Sequence, residues 1–102
     1  MLNYPQALLA VEREIAALPA PSDGDAWIIL AEQTIECSFG WIIFYGSRRY
    51  AETGDFVDLV AGNVPFIVDR HDGTLSPTGT AFPIEHYIEE YKLRVAQRGN
   101  TT

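Results

Sequence analysis

Cys37, His71 and His86 are the side chains of this sequence best suited to nucleophilic or metal chemistry. A thiol-dependent hydrolase needs Cys37 beside one of the histidines, and because such dyads are assembled in space, sequence spacing leaves that arrangement open. Against it, Cys37 falls in an apolar stretch that reads as a strand, away from any helix N-terminus that would lower a thiol pKa. His71 falls in a hairpin turn and His86 on the polar side of a helix. Neither has the histidine four residues away that a helical zinc site uses. A single cysteine forms no internal disulfide, and no paired Cys or Cys/His spacing offers a zinc site. The carboxylate pairs Asp55/Asp58 and Asp69/Asp72 suggest general acid and base work or a metal, but Asp72 before Gly73 suits a turn and Asp55 suits a helix cap. Gly54 and Gly62 belong to no phosphate-binding loop. These residues define no catalytic set, and no cofactor or metal is expected.

Binding is the remaining class of function, and charge narrows the partner. Seven basic residues against fourteen acidic ones give a formal charge of −7. Asp23, Asp25, Glu32, Glu36, Glu52, Asp55, Asp58 and Asp69 fall in a span whose only bases are Arg48 and Arg49. Such a field repels phosphate backbones and anionic lipid, so nucleic acid and membrane are not expected partners, and it attracts a basic protein surface. Acidity also serves solubility alone, so composition does not decide between the two. Aromatics are frequent, at 12% of residues, and most are needed to fill a small core. Phe39, Tyr45 and Tyr50, beside Glu36 and Glu52, form a candidate docking patch, to which Glu32, Asp55 and Asp58 add charge.

The elements that must position these residues follow from periodicity. From Tyr4 to about Leu18, Leu8, Val11, Ile15 and Leu18 form one stripe of an amphipathic helix, with Asn3 or Tyr4 as cap and Pro5 in the first turn. The run Pro19-Ala-Pro-Ser-Asp-Gly-Asp25 ends it. Trp27–Ala31 with Thr34–Cys37, and then Trp41–Tyr45, read as two antiparallel strands around a Ser38-Phe-Gly40 junction. The second lacks polar alternation, so it belongs at the sheet centre or under cover on both faces. Arg48 to Asn63 reads as an irregular crossing with a short turn capped by Asp55. Pro65–Asp69 and Thr74–Ser76 form a hairpin through Arg70-His-Asp-Gly73. Pro83 opens a last helix whose stripe is Ile84, Tyr87, Ile88, Tyr91 and Val95. The expected fold is α+β in two layers: an N-terminal helix, a four-stranded antiparallel meander and a C-terminal helix, both helices on one face. The chain reads as one domain over residues 1–102 with a core at about 4–98. No leader or membrane-length apolar run is seen, so a cytoplasmic monomer or homodimer is expected.

Four segments carry a family resemblance: Gly40-Trp41-Ile-Ile-Phe44-Tyr45, Tyr50-Ala-Glu-Thr53-Gly54-Asp55, Ala61-Gly62-Asn63-Val-Pro65-Phe-Ile-Val68-Asp69, and Gly79-Thr80-Ala-Phe-Pro83-Ile-Glu85-His-Tyr87-Ile-Glu-Glu-Tyr91. In their order and spacing, from about Ala26 to Tyr91, they resemble the immunity protein 35 family, also called the YrhB domain family. The resemblance implies a small α+β domain encoded beside a toxin gene in bacteria, which binds that toxin in the producing cell; a few relatives are chaperone-like instead. The family's recurrent residues map onto Gly40, Trp41, Gly54, Asp55, Gly62, Asn63, Pro65, Asp69, Gly73, Gly79 and Pro83. These are residue types that shape turns, open strands and helices and fill cores, so they read as scaffold.

Overall fold

Asn3 sets the start of the first helix. Its side-chain oxygen accepts the Gln6 N–H at 2.9 Å, and the Gln6 side chain accepts the Asn3 N–H at 2.9 Å. This reciprocal capping box, with Pro5 in the first turn, opens α1 at Tyr4–Ala16. Ala7, Val11 and Ile15 form its buried stripe.

The computed structural model describes residues 1–21, 23–53, 64–79 and 81–99. After α1 come β1 (Trp27–Ile29), β2 (Ile35–Cys37), β3 (Gly40–Ile43), β4 (Tyr45–Ser47), α2 (Arg48–Thr53), β5 (Phe66–Asp69), β6 (Leu75–Pro77) and α3 (Ile84–Gly99). Strands β2-β3-β5-β6 form an antiparallel meander in that order, with Trp41 opposite Val68 and Ile42 opposite Ile67 at its centre. The expected α+β meander with flanking helices is the observed one.

The first two expected strands are one long hairpin broken in the middle. Ala31–Gln33 closes a 3-10 turn, with Gln33 N–H donating to the Leu30 carbonyl at 2.9 Å. Beyond the break, β1 pairs with β4 as a separate two-stranded sheet. Leu30 N–H donates to the Phe44 carbonyl at 2.8 Å and carries the pairing across.

The two-layer expectation is corrected. Trp41, Ile43, Phe66 and Val68 pack against Ala7, Val11 and Ile15 of α1, whereas Ile42 and Ile67 pack against Tyr91, Ile84, Ile88 and Val95 of α3. Odd and even positions of β3 thus face different helices, giving helix, sheet, helix. The reason is in the strands: every residue of β3 and β5 is buried, and a strand apolar on both faces needs a cover on each. Each fully buried Ile or Val contributes roughly 1.5–3 kcal/mol.

Two turns tie the meander together. Gly73, at φ +78°, closes the β5–β6 hairpin, with Thr74 N–H donating to Asp72 Oδ1 at 2.9 Å. Asp69, 1% exposed, accepts His71 N–H at Oδ1 and the Tyr91 hydroxyl at Oδ2, each at 2.8 Å, fastening α3 to the sheet. Pro65 precedes β5, and its carbonyl accepts Thr78 N–H at 3.0 Å. Pro83 immediately precedes α3, and Gly79 gives room to the Tyr87 hydroxyl, which would lie 2.5 Å from an added Cβ.

The crossing after β4 departs from the irregular loop expected there. Residues Arg48–Thr53 form α2, capped by Ser47, whose hydroxyl accepts Tyr50 N–H at 3.2 Å. The Asp55-capped turn, Asp58, Gly54, Gly62 and Asn63 lie outside the described residues.

Candidate partner-binding surface

The acidic residues lie along the outer edge of both sheets. From Asp23 the chain runs through β1, the 3-10 turn bearing Glu32, and β2 bearing Glu36, and both carboxylates are exposed. Glu36 stands on the α1 side of the sheet opposite Trp41. Arg70 lies over the Trp41 ring at 4.9 Å, donates to the Cys37 carbonyl at 2.8 Å and approaches Glu36 at 3.5 Å. The Glu36 side chain is 70% exposed, so water screens this pair and leaves Glu36 presented to a partner. Glu52, exposed on α2, stands 3.9 Å from Arg48, and Tyr50 is half-buried on the same helix.

Two of the three aromatics of the expected patch, Phe39 and Tyr45, are buried. Phe39 packs on Tyr91 at 4.8 Å between ring centroids, inside the α3 core. Tyr45 stacks on Phe66 at 5.7 Å and meets the edge of Trp27 at 5.3 Å, inside the α1 core. Burial raises the Tyr45 pKa, against a smaller opposing hydrogen bond from the Val64 backbone. Glu32, Glu36, Glu52 and Tyr50 remain as surface candidates, spread over three elements.

A surface that sequence reading missed lies between α1 and β1. An open groove of about 700 Å³ is floored by Leu8, Ile15, Trp27 and Ile29 and flanked by Glu12 and Asp25. Trp27 is fixed there by its indole N–H, which donates to the Pro19 carbonyl at 2.8 Å. The apolar run Trp27-Ile-Ile29 was read only as strand, because such a run looks the same at a sheet's edge as at its centre.

Asp25 holds the rear of this groove. Its carboxylate accepts the Ser47 hydroxyl, Ala26 N–H at 2.7 Å and Arg49 N–H at 3.1 Å, joining β1, β4 and the first turn of α2. Burial pushes this carboxyl up, but those hydrogen bonds and the Arg49 charge outweigh it and leave the pKa below its ordinary 3.8. A depressed folded-state pKa adds stability that is present above the unfolded value and lost as pH falls through the folded one. Asp25→Asn should therefore lower the urea midpoint at neutral pH, and the gap from wild type should close as pH falls from about 5 to below the carboxylate range. A gap independent of pH would show that the ionised form is not what matters.

The charges that bear on Cys37 are those of Lys92, Arg70 and Glu36. Burial raises the Cys37 pKa more than Lys92 and Arg70 lower it, which disfavours a thiolate. His71 is exposed in its turn, and His86 pairs with Glu90 at 3.4 Å on α3. Among the described residues no three His, Cys, Asp or Glu side chains converge as a metal site, and no helix is long and apolar enough to cross a membrane.

The uncharacterized protein YrhB of Escherichia coli (strain K12) is 40% identical over 62 residues, 61% of this chain and 66% of that protein, just under two thirds of its length. No solved structure matches. The model of the family described as immunity protein 35 matches residues 7–92, from α1 through both sheets into α3, and the chain belongs to that family.

Proposed function

We propose that the chain is an immunity protein that binds and neutralises a cognate protein toxin by direct contact, in the cytoplasm of the bacterium that makes both. The match to the immunity family over residues 7–92 carries this reading. The edge bearing Asp25, Glu32 and Glu36 supports a toxin with a basic contact surface, because complementary potentials speed encounter and select partners. Neutralisation by contact asks nothing of Cys37, His71 or His86.

Co-expression with the product of the neighbouring gene tests it. That product alone should arrest growth, and this chain should restore growth and co-purify with it. Glu32→Lys with Glu36→Lys should slow association roughly tenfold, and raised salt should slow the wild type similarly. A harmless neighbour, or no complex, defeats the reading. A chaperone-like module is the second reading, favoured by Phe82 at 56% and Leu93 at 65% exposure near and on α3. Suppression of aggregation of unrelated proteins would support it, and selectivity for one partner would exclude it.

A further inference from the structure

Four strands lie at sheet edges among the described residues, β2 and β6 of the larger sheet and β1 and β4 of the smaller, and they differ in what guards them; in β4 both Tyr45 and Ser47 are buried. At β2 the central residue is Glu36, a charge that discourages a further strand. At β6 the sequence is Leu75-Ser-Pro77, where proline ends the strand. At β1 it is Trp27-Ile-Ile29, with neither charge nor proline.

The pairing shows which backbone groups β1 leaves open. Arg48 N–H donates to the Ala26 carbonyl and Leu30 N–H donates to the Phe44 carbonyl, each at 2.8 Å. In an antiparallel ladder these groups alternate, so Ala26, Ile28 and Leu30 face β4, while the N–H and C=O of Trp27 and Ile29 point away from it. The open groups border the apolar groove, so one incoming segment can bond to the edge and seat side chains on Trp27 and Ile29.

Charge decides the occupant. Glu12 and Asp25 line the groove, no basic side chain among the described residues lines it, and Glu32 follows on the adjoining turn. Arg48, at the near end, is engaged with the Gly24 carbonyl at 3.0 Å and with Glu52. A second copy would bring the same acids against themselves, in a chain already carrying −7. We propose that β1 takes an extended segment of the toxin as an added antiparallel or parallel strand, a segment of alternating apolar residues flanked by lysine or arginine. This rests on the immunity reading above and adds the mode of contact to it.

The test uses the full chain and the purified product of the neighbouring gene. Hydrogen exchange of the complex should slow at the Trp27 and Ile29 amides by at least tenfold relative to the free chain. Ile29→Pro, which removes an outward N–H and no ladder bond, should weaken binding at least tenfold, and doubling the salt should weaken the wild-type complex. A complex that forms with unprotected Trp27 and Ile29 amides overturns the strand-addition mode and leaves the immunity reading standing. Absence of any complex overturns both. A homodimer of the free chain in which those two amides are already protected assigns the edge to a second copy and overturns the proposal. The exchange measurement on wild type decides the matter even where Ile29→Pro fails to fold.

Discussion

Gly40→Ala should remove a large share of the stability of this protein, at a cost of roughly 3–5 kcal/mol against the 5–15 kcal/mol usual for a domain. Gly40 sits at φ +152°, a conformation that L side chains rarely adopt. An added Cβ would lie 1.9 Å from the Val68 carbonyl oxygen and 3.0 Å from the Arg70 nitrogen. Those contacts are backbone, and β3 is held between β2 and β5, so relief requires breaking the pairing of Gly40 with Asp69 and of Trp41 with Val68. Gly73→Ala is the internal control. Its φ of +78° is strained too, but its Cβ would meet only the far end of the Leu2 side chain at 3.2 Å, so a loss near 1 kcal/mol is expected. Urea denaturation of both variants checks the ranking. Equal midpoints would mean that β3 and β5 are not as close as described.

Asp69→Ala is the second large effect, at about 3 kcal/mol, because truncation strands the buried Tyr91 hydroxyl and takes the acceptor from the part-buried His71 amide. The Tyr91 hydroxyl and the His71 amide both use this carboxylate, and the Tyr91 ring is 6% exposed beneath α3. Tyr91→Phe removes one donor with its acceptor left partly served, so about 1 kcal/mol is expected. The two losses should not add. Once Asp69 is alanine, Tyr91→Phe should cost little, since the hydroxyl has lost this acceptor. A double-mutant cycle with zero coupling would show that the Tyr91 hydroxyl does not help to hold α3, leaving that to its apolar packing on Phe39, Ile42 and Ile67.

What was legible in the sequence was mostly local. The helix cap, the Gly73 turn and the Pro83 helix start each depend on residues within a few positions; the turn and the helix start appear as read, and the cap, read as Asn3 or Tyr4, falls on Asn3. The β2–β3 and β5–β6 hairpins followed from short connections between apolar runs, whereas the pairing of β3 with β5 bridges a long crossing through β4 and α2. Helix placement was decided by parity across distant elements: Ile42 and Ile67 meet Tyr91, and nothing near Tyr91 in sequence indicates which face of the sheet it will cover. The apolar run of β3 did require cover on both faces, a demand that two helices on one side cannot meet. Phe39 and Tyr45 looked available because acids flank them. Their burial depends on Tyr91, Phe66 and Trp27, partners separated from them by long stretches of chain. Arg48-Arg-Tyr50 looked like loop because charge masks helix, yet Ser47 was a readable cap.

The two tryptophans divide the molecule for spectroscopy. Trp41, 5% exposed under α1, is shielded from water and serves as an internal reference for the fold. Trp27 is half-buried at the groove, its indole N–H on the Pro19 carbonyl. A dissolved quencher therefore reaches one indole and not the other, and the accessible fraction of the emission becomes an optical gauge of whether that groove is filled.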